Sequence, residues 1–170
     1  LEVLKYLEGQ HAFKGGVDAE TYKYFARSIS IANDHRLRQD GDVPNIDSNS
    51  TSDCTSHISV VDSEGTVVAL TQTLLSPFGS KVVLPETGIL MNNAIMWFDP
   101  RPGVPNSIDG GKRPLSNMCP VIVENEIGCR IALGASGGRR ILPAVLQIIS
   151  FLIDNRMSFE EAMDQPRIDI

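Results

Sequence analysis

The change of period at His57 narrows the fold of this chain more than any other feature. Upstream of it, Gln39 to Cys54 (QDGDVPNIDSNSTSDC) holds four Asp, three Ser and two Asn and follows neither helical nor strand spacing. It is longer than most connections in compact domains, so it is either a disordered linker or a functional segment. From His57 the spacing becomes two and β-branched residues dominate. His57–Asp62 and Thr66–Thr73 flank Ser63-Glu64-Gly65 and read as a hairpin. A second hairpin is expected from Pro120–Val123 to Cys129–Leu133, turning at Glu124-Asn125-Glu126. Apolar residues crowd both faces of these strands, which predicts a sheet covered on both sides.

Helical spacing brackets the strands. Asp18 can cap a helix carrying Tyr22, Phe25, Ala26, Ile29 and Ala32 on one face. After Gly137-Gly138 an apolar helix is expected from about Arg140 to Asn155, with Pro143 tolerable in its first turn. Ser158-Phe159-Glu160-Glu161 is a capping box for a short last helix that ends before Pro166. Leu1 to Leu7 is already in a helical pattern, with no initiator Met, signal peptide or capping residue before it, and reads as a chain cut from something longer. Strands and helices without strict βαβ alternation favour a layered α+β fold. No internal repeat is visible.

Composition removes several function classes. Fifteen Lys and Arg against twenty-one Asp and Glu give a formal charge of −6, so no basic excess is present to neutralise a phosphate backbone. Nucleic acid is not an expected partner. The longest apolar run, Ile141 to Ile153, is interrupted by Pro143, Gln147 and Ser150 and falls short of a membrane span. Cys54, Cys119 and Cys129 make an odd number without metal-ligand spacing, so neither a disulfide framework nor a zinc site is expected, and no motif here calls for a cofactor. Reduced thiols favour the cytoplasm over a periplasmic or secreted setting.

Thr55 stands where the acidic linker meets the first strand. Were the bond before it broken, its α-amine, titrating at about 7.7–8, would serve as base to its own hydroxyl. At this point a set of blocks becomes informative: Thr55-Ser56-His57-Ile58-Ser59-Val60-Val61-Asp62, Thr71-Gln72-Thr73, Phe78-Gly79, Gly88-Ile89-Leu90-Met91-Asn92-Asn93, Lys112-Arg113-Pro114-Leu115-Ser116-Asn117-Met118 and Gly134-Ala135-Ser136-Gly137-Gly138. In order and spacing they resemble the γ-glutamyltransferase (glutathione hydrolase) family from about Thr55 to Arg167. The first 54 residues resemble the end of that family's large subunit more weakly, and residues 55–170 most of its small, catalytic subunit without the last strands.

The resemblance implies a four-layer αββα sandwich of the N-terminal-nucleophile hydrolase type. It would be made as a zymogen and cut by its own threonine between Cys54 and Thr55. Thr55 would be the nucleophile, Thr73 its hydrogen-bonding partner, and Gly137 and Gly138 the oxyanion-hole amides. His57 reads as a satisfied strand histidine and not a base. Ser116 matches one of two serines that hold a substrate carboxylate, and Asn117 replaces the second while keeping a donor. Asn92 and Asn93 either line the site or stitch neighbouring loops, and Asn93 is carried as a substrate contact. The implied partners are a small amide with a carboxylate, an acceptor (water, an amino acid or a peptide) and the large subunit of the same precursor.

This sequence also departs from the family. Where the transpeptidases hold the substrate's α-ammonium with Asn, Gln and Asp, it carries Leu75, Ala94 and Trp97. Only the face of Trp97 offers a cation a partner, worth about 0.5–2 kcal/mol. Phe98 to Gly111 occupies the place of the transpeptidase lid loop but is short and lacks a tyrosine. Arg101 within it is either a surface charge or a carboxylate partner, and the surface reading is preferred because isolated Arg residues on Pro-rich loops are usually exposed. Trp97-Phe98-Asp99-Pro100 is similar to a transferase-like subset of the family, some of whose relatives are cephalosporin (glutaryl) acylases. Two activities follow: hydrolysis or transfer of γ-glutamyl groups, as in glutathione, or an acylase for glutaryl-type side chains. A catalytically silent scaffold is the reading from another class.

Overall fold

The structure, a computed structural model, describes residues 16–41 and 54–170. The helical pattern at Leu1–Leu7 and most of the acidic linker lie outside the described residues. Helix α1 is Ala19–Arg38; β1 (Thr55–Val61) and β2 (Val67–Thr73) form one antiparallel hairpin; β3 (Val121–Glu124) and β4 (Arg130–Leu133) form another; α2 is Ile141–Ile153 and α3 is Phe159–Asp164. Both helix starts read from the sequence have the expected caps. Asp18 accepts from the Thr21 amide at 2.9 Å, and Ser158 and Glu161 make a reciprocal capping box.

The four elements from β1 to β4 stack as two layers. In the first hairpin Thr55 faces Thr73, His57 faces Thr71 and Ser59 faces Ala69. That face meets β4, because Ser59 Oγ donates to the Ala132 carbonyl at 3.3 Å and Arg130 reaches the Gly65 carbonyl at 2.9 Å. On the far side of the second hairpin, Leu133 with Val121, Val123 and Ile131 packs on Ile141, Val145 and Ile149 of α2. The opposite flank of α2 presents Leu146 and Phe151 to Phe25 and Ile29 of α1 and to Ala162 of α3. Helix α2 is therefore the middle of the stack, which is why its sequence has no polar face. Its two polar interruptions are satisfied internally. Gln147 is fully buried and exchanges two hydrogen bonds with Ile168, while Ser150 bonds Asp154. Phe25 and Phe151, both with no exposed surface, meet edge to face at 5.7 Å. Each contributes about 1.5–3 kcal/mol by burial.

The expectation of a sheet covered on both sides holds for one side of the first hairpin. Its other face, Ile58, Val60, Val68 and Leu70, is 45–53% exposed. Among the described residues the layers run hairpin, hairpin, α2 with α3, then α1, and no helix lies over that outer face. The fold is mixed α/β with two stacked hairpins and one helical side.

Residues 94–115, with no regular period, are organised by buried polar groups. Asn106, 4% exposed, donates to the Trp97 carbonyl at 2.7 Å and accepts from the Leu115 amide at 3.2 Å. Asp99, 1% exposed, takes the Arg101 backbone amide and its guanidinium. The Arg101 side chain itself is open to solvent, as the sequence suggests, yet it is engaged by its own loop. Those Arg101 donors hold the Asp99 carboxyl below the ordinary carboxylate value of 3.8. A lowered native pKa stabilises the fold above the unfolded value and ceases to do so as pH falls through and below it. Asp99→Asn is expected to lower the melting temperature at pH 7, and the gap from wild type to shrink in melts taken below about pH 4.

Candidate active site

The strand register brings together two residues that lie 18 positions apart. Thr55 opens β1, Thr73 closes β2, and their Oγ1 atoms are hydrogen-bonded at 3.0 Å. The Leu75 amide also donates to Thr73 Oγ1 at 3.0 Å, so that oxygen accepts from both the Thr55 hydroxyl and a backbone amide and its rotamer is fixed. Directly before the nucleophile candidate, the Cys54 carbonyl accepts from the Leu74 amide at 3.2 Å. The carbonyl of the Cys54–Thr55 bond is thus held and polarised by a backbone donor. Sequence reasoning did not single out that contact, because a backbone amide leaves no residue-type signature.

The chain leaves this corner under strain. Leu75 has φ of +70°, a left-handed conformation that costs a β-carbon-bearing residue about 1–2 kcal/mol. Three hydrogen bonds to Asn93 hold the turn there. The Asn93 amide donates to the Leu74 carbonyl at 3.2 Å, and Asn93 Oδ1 accepts from the Ser76 amide at 3.0 Å. Asn93 Nδ2 also donates to Ser76 Oγ at 2.8 Å. Of the two roles open to Asn93 in the sequence, its observed contacts are those of a loop stitch. Gly79 completes this close approach, since a β-carbon there would meet the Met91 carbonyl and come within 3.0 Å of the Asn92 α-carbon.

Gly137 and Gly138 lie between β4 and α2, at φ of +130° and +58°. Both conformations favour glycine, so the pair is required by the backbone as well as suited to presenting amides. Trp97 ends a short 3₁₀ turn, Ala94–Trp97, and is half-buried. Leu75 and Ala94 are half-buried too, and neither side chain offers a polar atom to an ammonium. Ser116 is exposed and takes the Met118 amide on its hydroxyl at 3.1 Å. Asn117 lines a cleft of about 370 Å³ between α1 and α2, together with Cys119, Val121 and Arg139. Burial in that region pushes the Cys119 thiol up. Among the described residues no three His, Cys, Asp or Glu side chains are grouped to hold a metal, and no helix is long and apolar enough to cross a membrane.

A strand-opening threonine bonded to a second threonine inside stacked hairpins is the arrangement expected of an N-terminal-nucleophile hydrolase. Solved structures of that kind superpose on this chain. γ-Glutamyltranspeptidase from Pseudomonas nitroreducens, complexed with L-DON, matches with a TM-score of 0.59 and 34% identity over 68% of this chain and 65% of that one. A mutant of the Helicobacter pylori γ-glutamyltranspeptidase matches with a TM-score of 0.58 and 37% identity, covering 68% and 67%. The family model for gamma-glutamyltranspeptidase matches residues 5–170, and the chain belongs to that family. The acylase ACY 1 proenzyme of Pseudomonas sp. (strain SE83) is 45% identical over 67% of the chain, and the glutathione hydrolase proenzyme of Escherichia coli (strain K12) is 41% identical over 66%. The chain spans about a fifth of the length of these curated relatives, 20% and 21%.

Proposed function

We propose that this chain carries the nucleophile of a self-processed amide hydrolase and acyl transferase. The observation that carries this reading is the 3.0 Å pair of Thr55 and Thr73, seated beside a Cys54 carbonyl already bonded to the Leu74 amide. In the uncut chain Thr55 Oγ attacks that carbonyl, the Cys54–Thr55 C–N bond breaks, and an ester replaces the amide. Water then hydrolyses the ester, giving a Cys54 carboxylate and a free Thr55 amine. That amine takes the hydroxyl proton as Thr55 attacks a substrate amide, and the departing amine carries the proton away. Water or an amine acceptor resolves the acyl-enzyme. Gly137 and Gly138 supply backbone donors to the developing oxyanion. The rest of the precursor supplies the missing helical cover over Ile58, Val60, Val68 and Leu70, which are otherwise 45–53% exposed. Acting on γ-glutamyl compounds is the first reading, in keeping with the glutathione hydrolase relative.

One set of observations favours a second substrate class on the same machinery. Leu75, Ala94 and Trp97 replace all three polar partners of an α-ammonium, and an acylase is among the similar proteins. Burying a charged ammonium without partners costs several kcal/mol. The preferred acyl group then ends in a carboxylate and lacks the α-amine, as glutaryl does, with Ser116 and Asn117 as carboxylate donors. The test is the ratio of kcat/KM for glutaryl over γ-glutamyl anilides, measured on the intact mature protein. A ratio near or above one is expected for the acylase reading, and a ratio far below one returns the chain to γ-glutamyl substrates. Turnover of neither anilide by a correctly processed protein would leave the silent scaffold. Trp97→Leu measured in parallel reads the ring's share, because only the γ-glutamyl substrate should suffer if the indole holds an ammonium.

A further inference from the structure

His57 lies two residues from the nucleophile candidate, on the same face of β1, and both of its ring nitrogens are engaged. Nδ1 is 2.8 Å from Thr71 Oγ1 and Nε2 is 3.0 Å from Ser59 Oγ. The proton order follows from Ser59, whose single hydroxyl proton goes to the Ala132 carbonyl of β4. Ser59 Oγ therefore accepts from Nε2–H, and Nδ1 accepts from the buried Thr71 hydroxyl. This chain of bonds fixes the ring's plane and ties it, through Ser59, to the second hairpin.

The ring also has a seat. A β-carbon on Gly134 would fall inside the imidazole, 2.7 Å from Cγ and nearer still to Nδ1 and Cε1. The φ of Gly134 is not in the left-handed region, so what requires glycine there is the ring and not the backbone. Gly134 follows directly on β4, and three residues later the chain makes the Gly137–Gly138 turn. One side of this contact therefore leads by two residues to Thr55, and the other by three to the oxyanion glycines.

Resting on the threonine-nucleophile reading above, we propose that His57 and Gly134 form an interlock that sets the nucleophile strand against the glycine turn. His57 is a positioning residue that moves no proton in the reaction. Misplacement of reacting groups by about an ångström costs on the order of 10²-fold in rate. The interlock accordingly affects the chemical step more than substrate capture, which is governed by other residues.

The experiment compares Gly134→Ala, His57→Ala, their double variant and Thr55→Ala in the intact protein, reading self-cleavage, kcat and KM separately on the better of the two anilides. Gly134→Ala is expected to lower kcat on the order of 10²-fold with KM changed little. His57→Ala removes the ring without creating a clash and is expected to lose less kcat than Gly134→Ala, and in the double variant, where the ring no longer occupies the space, kcat should rise to that milder level. Wild-type kcat in Gly134→Ala overturns the interlock, and so does a loss in Gly134→Ala that the double variant does not relieve. Where Gly134→Ala yields no folded protein, recovery of folded, processed protein in the double variant supports the proposal and failure to recover overturns it. Thr55→Ala separates the two levels. An active Thr55→Ala overturns the nucleophile reading together with the interlock, whereas an inactive Thr55→Ala beside an unimpaired Gly134→Ala overturns the interlock alone.

Discussion

Thr55→Ala in the intact protein is expected to leave one uncut chain with no amide turnover. The expectation follows from counting what Thr55 supplies. Its Oγ is the atom that attacks the Cys54 carbonyl during processing and the substrate carbonyl afterwards, and its amine exists as a base only once the first attack has succeeded. An alanine keeps the strand, because the backbone pairing of Thr55 with Thr73 and the Leu74–Cys54 hydrogen bond need no hydroxyl. Folding and chemistry are therefore separable at this residue. Electrophoresis under denaturing conditions reads the cut, and an anilide assay reads turnover. Wild-type processing of the alanine variant would remove Thr55 from the mechanism.

The second large effect is expected at Thr73. Thr73→Val keeps the shape of the side chain and removes one hydroxyl that is 3.0 Å from Thr55 Oγ1 and 3.0 Å from the Leu75 amide. Two consequences compound. Thr55 loses the partner that orients its hydroxyl, and the Leu75 amide, inside a strained turn, loses its acceptor. Removing one preorganised group from a catalytic centre costs about 10²–10³ in kcat, and a loss at the lower end or beyond is expected here with KM nearly unchanged. Thr73→Ser restores the oxygen and should recover much of the rate. Unchanged kcat in Thr73→Val would make Thr73 a structural residue of the hairpin.

How much of this was legible in the sequence differs element by element. Both hairpins follow from period two and β-branched residues, and the first pairs Thr55 with Thr73 because only two more positions extend it beyond His57. The caps at Asp18 and Ser158 are local chemistry and were readable as such. Helix α2 was expected to be apolar, but not that it lies between two partners, since a helix's neighbours are fixed by chain topology and not by its own residues. Residues 94–115 carry Pro, Gly and charge, a composition usual on surfaces, and yet Asp99 and Asn106 are buried there. Their burial depends on donors from Arg101 and Leu115 that have no fixed sequence spacing. At the site, Thr55 was legible from its place between the acidic linker and the first strand, Thr73 and the glycine pair came from the resemblance, and the Leu74–Cys54 bond and the seat of His57 on Gly134 needed coordinates. Contacts through backbone atoms and through a missing β-carbon are silent in a one-letter code.

The most direct measurement is the mass of the chain bearing Thr55, taken from mature intact protein before and during turnover of an anilide. The account predicts a chain whose first residue is Thr55. During turnover it should gain the mass of the acyl group on that residue, as an ester that hydroxylamine removes. A protein that turns the substrate over while still continuous through Cys54–Thr55, or one that carries the acyl group on any other residue, would contradict it.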